Sequence, residues 1–346
     1  MKSALITGIL GQDGAYLAKL LLEKKYKVYG TYRVLSSPNF WRLQYLDISE
    51  KVNLIPVDIM DSQSIASSLA KSNPDEVYNL SAQSLVGVSF EQPLHTANVT
   101  GMGTIRILDE IKKFNDKIKF YQASSSEMYG SEKSPVKNEN TPFQPSSPYA
   151  ISKLFSHWTV NMYRQAYGMF AVSGILFNHE SPLRGLEFVT RRISNGVAKI
   201  ALGISKELKL GNLKAKRDWG FAPEYVEGMW KMMQQKNPED YVLATNESHS
   251  VKEMVEEACH VAGISQKYIT SSKEKFRPFD VQSTQGNYFK AKKNLGWQPK
   301  TKFKELVKIM VNEDISRWER WQKKEYFPWD AFTSGEDSEI LKRKLH

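Results

Sequence analysis

The residue types able to do chemistry gather between residues 123 and 153: the run Ser124-Ser125-Ser126-Glu127, a polar, proline-rich loop, then Ser147-Pro148-Tyr149 with Lys153 close behind. Proline's fixed φ suits the first turn of a helix, so a helix opened by Pro148 carries Tyr149 and Lys153 one turn apart on one face. An ammonium beside a phenol favours the phenolate, lowering a pKa that is ~10 in free tyrosine. Tyr149 is thus expected to serve as a base. Two plainer readings stand beside this one: serine runs commonly cap helices, and Tyr-x-x-x-Lys arises by accident on any helix. The elements around the stretch decide between them.

The chain begins with a short apolar run, residues 2–7, then Gly8-Ile9-Leu10-Gly11-Gln12-Asp13-Gly14, then Tyr16, Leu17, Leu20 and Leu21 at helical spacing. Strand, glycine loop and helix in that order form a dinucleotide-binding unit. The glycines allow a tight turn and close backbone approach, and free N–H groups at the helix start hold a pyrophosphate. The next strand, residues 27–31, should end near the adenosine ribose, where an NAD site usually has an acid. Here Arg33 stands there, with Ser36 and Ser37 after it and no acid before Asn39. NADP, with its 2′-phosphate, is therefore the expected cofactor; a solvated arginine is the alternative. Further strands are expected at residues 52–57, with Asp58 just beyond, and at 76–80, 119–123 and 169–176, with helices at 62–71 and 96–113. The fold class is α/β, a Rossmann-type doubly wound parallel sheet. Ser124 to Glu127 then lie at the carboxyl end of a strand, where open α/β sheets bind ligands. Residues 177–182 end a strand in the same way.

Beyond Pro182 the alternation loosens. Helices are expected at 188–202, up to 235, at 251–262 and at 300–321, a strand at 241–245, and a basic turn at 214–220. This divides the chain into a cofactor domain, residues 1–180 plus about 215–248, and a smaller C-terminal substrate-binding lobe, about 181–214 and 249–325, with a tail at 326–346. Asn178, Arg192, Arg217 and Arg277 are candidates for a nucleotide diphosphate, since guanidinium groups grip phosphate oxygens in pairs. Any one of them could equally be a surface charge. The net charge of +10 is spread over the chain without a long basic block, which suits a small anion better than nucleic acid. No apolar run approaches the ~20 residues that cross a bilayer, and the start lacks a signal-peptide layout. A cytoplasmic protein without membrane contact is expected. The single cysteine, Cys259, excludes an internal disulfide and argues against a metal site.

Taken with the glycine loop, Arg33, the serines, Tyr149 and Lys153, several longer stretches carry a resemblance: Ala82-Gln83-Ser84, Val88-Ser89-Phe90-Glu91, Tyr121 through Gly130, Gly174 through Pro182, and Lys216-Arg217-Asp218-Trp219-Gly220. The chain resembles the extended short-chain dehydrogenase/reductases and, among them, the GDP-mannose 4,6-dehydratase family, over nearly its whole length to about residue 297. The family usually has threonine where Ser125 stands, which keeps the hydroxyl. The stretch after Arg277-Pro278, the arm from Val34 to Arg42 and the long tail depart from the family pattern.

The resemblance implies NADP contacts also at Asp58, Leu80, Ala82 and Ser84, and sugar-nucleotide contacts at Ser84 and Glu180. It implies oxidation of a GDP-sugar at C4, loss of water across C5 and C6, and return of the hydride to C6. In that scheme Tyr149 removes the O4 proton while Lys153 lowers the phenol's pKa and holds the nicotinamide ribose, both residues thus belonging to the cofactor site as well; Ser125 bonds O4, and Glu127 takes the C5 proton and protonates the departing hydroxyl. Ser126 fits the GDP-mannose pattern; the dTDP-glucose dehydratases would have aspartate there. It further implies a homo-oligomer, dimer or tetramer. The other readings are a different GDP-sugar such as a GDP-heptose, a related epimerase or reductase, and, more distantly, a non-catalytic NADP-binding interaction protein.

Overall fold

The computed structural model describes residues 1–34, 39–272, 281 and 283–325. Six strands alternate with helices in the first half: β1 (Ser3–Thr7), β2 (Lys27–Tyr32), β3 (Asn53–Pro56), β4 (Glu76–Asn79), β5 (Lys119–Ser125) and β6 (Ala171–Leu176). Shorter strands follow: β7 (Asn178–Glu180), β8 (Leu208–Leu210), β9 (Lys216–Arg217), β10 (Trp219–Phe221) and β11 (Tyr241–Leu243). β1 to β6 and β11 form one seven-stranded parallel sheet in the order β11-β6-β5-β4-β1-β2-β3. The order reverses between β1 and β4, and the crevice above such a switch point is where doubly wound sheets take their ligands.

Both faces of the sheet are covered, so its central strands read as continuous apolar runs. On β5, Phe120 packs with Leu69, Ile107, Ile111 and Val160, while its neighbour Tyr121 turns the other way, to Leu17, Leu21, Val226 and Met229. Each fully buried side chain of this size contributes about 1.5–3 kcal/mol. The helix Pro148–Tyr167 packs against β5 and β6. Ser147 caps its start by accepting the Ala150 N–H at 3.1 Å, and Gly168, at φ 65°, stops it. Pro148 therefore opens the helix, and Tyr149 enters it in a fixed orientation.

A second core gathers Ile193, Val197, Trp219, Met254, Leu306 and Met310, from the helices Val189–Ala201, Val251–Ala262 and Phe303–Gln322 with β10. A buried ion pair joins two of these helices, Arg191 to Asp314 at 2.8 Å. Arg191 and Arg317 each donate to the Pro182 carbonyl at 2.8 Å, which pins the segment between β7 and the lobe. The basic stretch 214–220 is not the expected turn. Trp219 is buried in the second core, β10 pairs with β7, and β9 pairs with His249–Ser250. Between them the buried Asp218 accepts the N–H groups of Thr245 at 2.9 Å and Gly286 at 3.1 Å. Backbone pairing around a buried carboxylate, which charge counting does not reveal, sets the local structure. Among the described residues no helix is long and apolar enough to cross a membrane.

Candidate active site

The carboxyl ends of β1, β4, β5 and β6 open on a cavity of ≈ 680 Å³. Gly8 stands at φ +71°, and a Cβ there would meet the Leu80 backbone at 3.1 Å; at Gly14 a Cβ would lie 2.5 Å from the Gly8 carbonyl oxygen. Glycine at these two positions keeps the loop folded onto the start of the helix Gln12–Glu23, where the Gly11 N–H closes the turn on the Gly8 carbonyl at 3.0 Å. This cradle fits the diphosphate of a dinucleotide. Gly11, Gln12 and Asp13 line the cavity beside it, with Leu80, Ala82 and Ser84 also on its wall. Two expected cofactor residues stand apart from that lining. Arg33 is exposed just beyond β2, and the Asp58 carboxylate accepts the Met60 N–H at 2.9 Å, closing the turn after β3. Arg277 lies outside the described residues.

Ser125, Glu127, Tyr149 and Lys153 meet in the same cavity. Ser125 ends β5, and its hydroxyl accepts the Glu127 N–H at 3.2 Å. The serine run thus caps the short turn Ser126–Tyr129 and also faces the cavity. Tyr149 and Lys153 are only 8% and 4% exposed. The Lys153 ammonium donates to the Ala123 carbonyl at 2.7 Å and sits 5.8 Å from the centre of the Tyr149 ring. Burial pushes the Tyr149 phenol up to about 12; the nearby Ser125 hydroxyl opposes this and the Glu127 carboxylate adds to it. Burial also pushes Lys153 down to about 8. A phenol lowered by its lysine is therefore not what the protein alone presents. Helical spacing foretells the shared face, but not the removal of water from both groups, which disfavours both charged forms.

Behind these groups, the His157 Nδ1 meets the Ser124 hydroxyl at 3.2 Å. His179 bonds Asp13 through Nε2 at 2.8 Å and the Phe177 carbonyl through Nδ1 at 2.7 Å. Against the upward effect of burial, the charge and hydrogen bond of His179 hold the Asp13 carboxyl down at about 2. Against the downward effect of burial, Asp13 raises the imidazole above its ordinary value. Gln12 adds a second tie, donating to the His179 carbonyl at 3.1 Å and accepting from the Ser181 hydroxyl at 2.7 Å. The glycine-loop helix and β7 are thereby joined under the cavity.

Asn178, Glu180, Arg192 and Arg217 line it as well. Glu180 is fully buried, 3.0 Å from the Arg184 guanidinium and accepting the Thr190 hydroxyl at 2.5 Å. It positions Arg184, which also lines the cavity. Arg217 donates to the Val281 carbonyl at 2.6 Å. Sequence reasoning missed Arg42 and Arg184. Arg184 follows Glu180 by four residues, two beyond the stretch 177–182 marked as a strand end, a readable signal; Arg42 arrives from a distant segment and has none.

A glycine cradle at the switch point of a doubly wound sheet, with a Tyr-x-x-x-Lys helix beside it, defines an extended short-chain dehydrogenase/reductase. The dTDP-glucose 4,6-dehydratase of Streptomyces venezuelae, solved with NAD and TYD bound, shares the fold at a TM-score of 0.81 and 21% identity, over 95% of this chain and 100% of that one. The UDP-glucose 4-epimerase of Thermotoga maritima does so at 0.81 and 22%, over 93% and 99%. The family model described as GDP-mannose 4,6 dehydratase matches residues 5–310. GDP-mannose 4,6 dehydratase 1 of Arabidopsis thaliana is 48% identical over 325 residues, 91% of this chain and 90% of its own. The Homo sapiens GDP-mannose 4,6 dehydratase is 46% identical over 340 residues, 90% of this chain and 91% of its own. The chain belongs to the GDP-mannose 4,6-dehydratase family.

Proposed function

We propose that this protein is an NADP-dependent hydro-lyase that converts GDP-mannose to GDP-4-keto-6-deoxymannose. The observation that carries the reading is the Glu127 carboxylate in one cavity with Ser125, Tyr149 and Lys153. Tyr149 accepts the O4 proton as C4 is oxidised, Ser125 holds O4, and Lys153 supplies the cation that a phenolate at this buried position needs. NADP, held by the glycine loop, Leu80, Ala82 and Ser84, would supply the hydride acceptor for C4 and the donor for C6. With C4 a ketone, the C5 proton is acidic. Glu127 removes it and passes a proton to the hydroxyl leaving C6; as hydride adds at C6, the proton that Tyr149 took from O4 goes to C5, so that water is the only net loss.

The glycine loop, Leu80, Ala82 and Ser84 hold the cofactor, Arg33 its 2′-phosphate, and Asp58 shapes the turn beside it. Asn178, Glu180, Arg192 and Arg217, with Ser84 and Arg277, hold the sugar nucleotide. Residues 1–180 and about 215–248 act as the cofactor domain, and about 181–214 and 249–325 as the sugar-nucleotide lobe. A homo-oligomer accompanies this reading. On the helix Pro148–Tyr167, Ile151, Phe155, Trp158 and Met162 form one exposed apolar stripe, Ile151 57% and Trp158 54% accessible, a face suited to a second copy. A cytoplasmic location fits the lone Cys259, which has no second cysteine to pair with.

Incubation of GDP-mannose with the purified protein and NADP, followed by mass spectrometry, tests the function. The expected result is loss of one water without net consumption of cofactor. Unchanged GDP-mannose with water lost from a GDP-heptose would move the substrate, and no loss from any GDP-sugar would overturn the reading.

A further inference from the structure

We infer that Arg42 is a ligand of the cofactor's diphosphate, a cation beside the glycine loop that acts together with the loop's N–H groups. The inference rests on dinucleotide binding in this cavity but not on the dehydratase reaction. Arg42 belongs to the short helix Trp41–Tyr45 that follows β2. Its Nε donates to the Leu183 carbonyl at 2.7 Å and its Nη1 to the Leu10 carbonyl at 2.9 Å, with the guanidinium 4.6 Å from the Trp41 ring. The side chain is therefore built in place from three sides.

Both acceptors are neutral, and no carboxylate among the described residues forms an ion pair with it. Its charged neighbours are Glu187, which favours the cation, and Arg184, Arg191 and Arg317, which oppose it; burial pushes the guanidinium down to about 10. A cation held in that setting without a bonded anion is costly for a structural role alone. It lines the cavity with Gly11 and Gln12, and a guanidinium has more N–H groups than its two carbonyl bonds use. Such a group takes a phosphate oxygen.

Of the anions proposed for this cavity, the dinucleotide diphosphate fits Arg42's position, because Arg42 is tied to Leu10 inside the glycine loop itself. The 2′-phosphate is assigned to Arg33, nine residues earlier at the end of β2. The sugar-nucleotide diphosphate is assigned to Arg192 and Arg217, on elements that follow β7.

The test is titration of the wild-type protein, Arg42→Gln and Arg42→Lys with NADP, NAD, GDP and adenosine 2′-monophosphate. Arg42→Gln should weaken NADP and NAD alike by about ten- to a hundredfold, with a shallower dependence on salt, and leave GDP and adenosine 2′-monophosphate unchanged. Arg42→Lys keeps the charge without the planar fork and should show a smaller, equally shared loss. Weakening of NADP alone would assign Arg42 to the 2′-phosphate. Weakening of GDP would assign it to the sugar nucleotide. Loss of adenosine 2′-monophosphate, which has no diphosphate, would mean a displaced loop. Each of these, or unchanged affinities, overturns the inference. Should Arg42→Gln not fold, the lysine variant decides by the same comparison. Because only binding is read, the result is independent of whether GDP-mannose is the substrate.

Discussion

Asp13→Asn keeps the size of the side chain and an oxygen for Gln12 while removing the charge opposite His179, 2.8 Å away. In the folded protein the Asp13 carboxyl lies at about 2 against an ordinary 3.8, a difference of on the order of 2 kcal/mol. With its folded value below the unfolded one, the unfolded chain binds more protons as the medium acidifies, so the stabilisation is present above pH 3.8 and disappears as pH falls towards 2. His179 bounds the other side. Its folded value is raised above 6.5, so its contribution is complete below pH 6.5 and fades as pH rises through the folded value. The pair is therefore strongest in the weakly acidic range between the two. Denaturant unfolding of both proteins across this range is the assay. The asparagine variant should be about 2 kcal/mol less stable at weakly acidic pH, with the gap closing towards pH 2. A gap of constant size at every pH would refute the ion-pair account and leave only packing.

Arg33→Asp should weaken NADP much more than NAD, because it removes a phosphate partner and adds a repelling charge; equal loss for both in parallel titrations would count against it. Gly14→Ala should remove cofactor binding without unfolding the lobe, since the new Cβ would lie 2.5 Å from the Gly8 carbonyl oxygen and must push the loop aside, which calorimetry with NADP will report. Trp158→Glu, on the exposed apolar stripe, should lower the mass seen in sedimentation to that of a single chain; an unchanged mass would place the interface elsewhere.

The fold was legible because its signals are local. The run at residues 2–7, the glycines after it and the leucines at helical spacing each report a neighbouring element, and the glycine spacing needs only backbone geometry to be read. Ser125, Glu127, Tyr149 and Lys153 could be grouped from strand-end position and helical spacing. What escaped depends on contacts between distant segments. The Asp13–His179 bond spans 166 residues, and Arg42 reaches a carbonyl 141 residues away. The upward shift of the Tyr149 phenol follows from how many groups close over it, a three-dimensional quantity. Arg33 shows the converse: its place after β2 was clear, yet it is exposed and not part of the cavity lining.

The central claim is that Glu127 acts after Tyr149, on the C5 proton, and single-turnover absorbance of reduced cofactor with GDP-mannose tests it most directly. Glu127→Gln keeps the shape of the side chain but cannot accept the proton, whereas Tyr149→Phe lacks the group that starts oxidation. The account predicts that Glu127→Gln accumulates NADPH absorbance without releasing a 6-deoxy product or exchanging solvent deuterium into C5, and that Tyr149→Phe forms almost no NADPH. Normal turnover by Glu127→Gln, or failure of both variants before any NADPH appears, would contradict it.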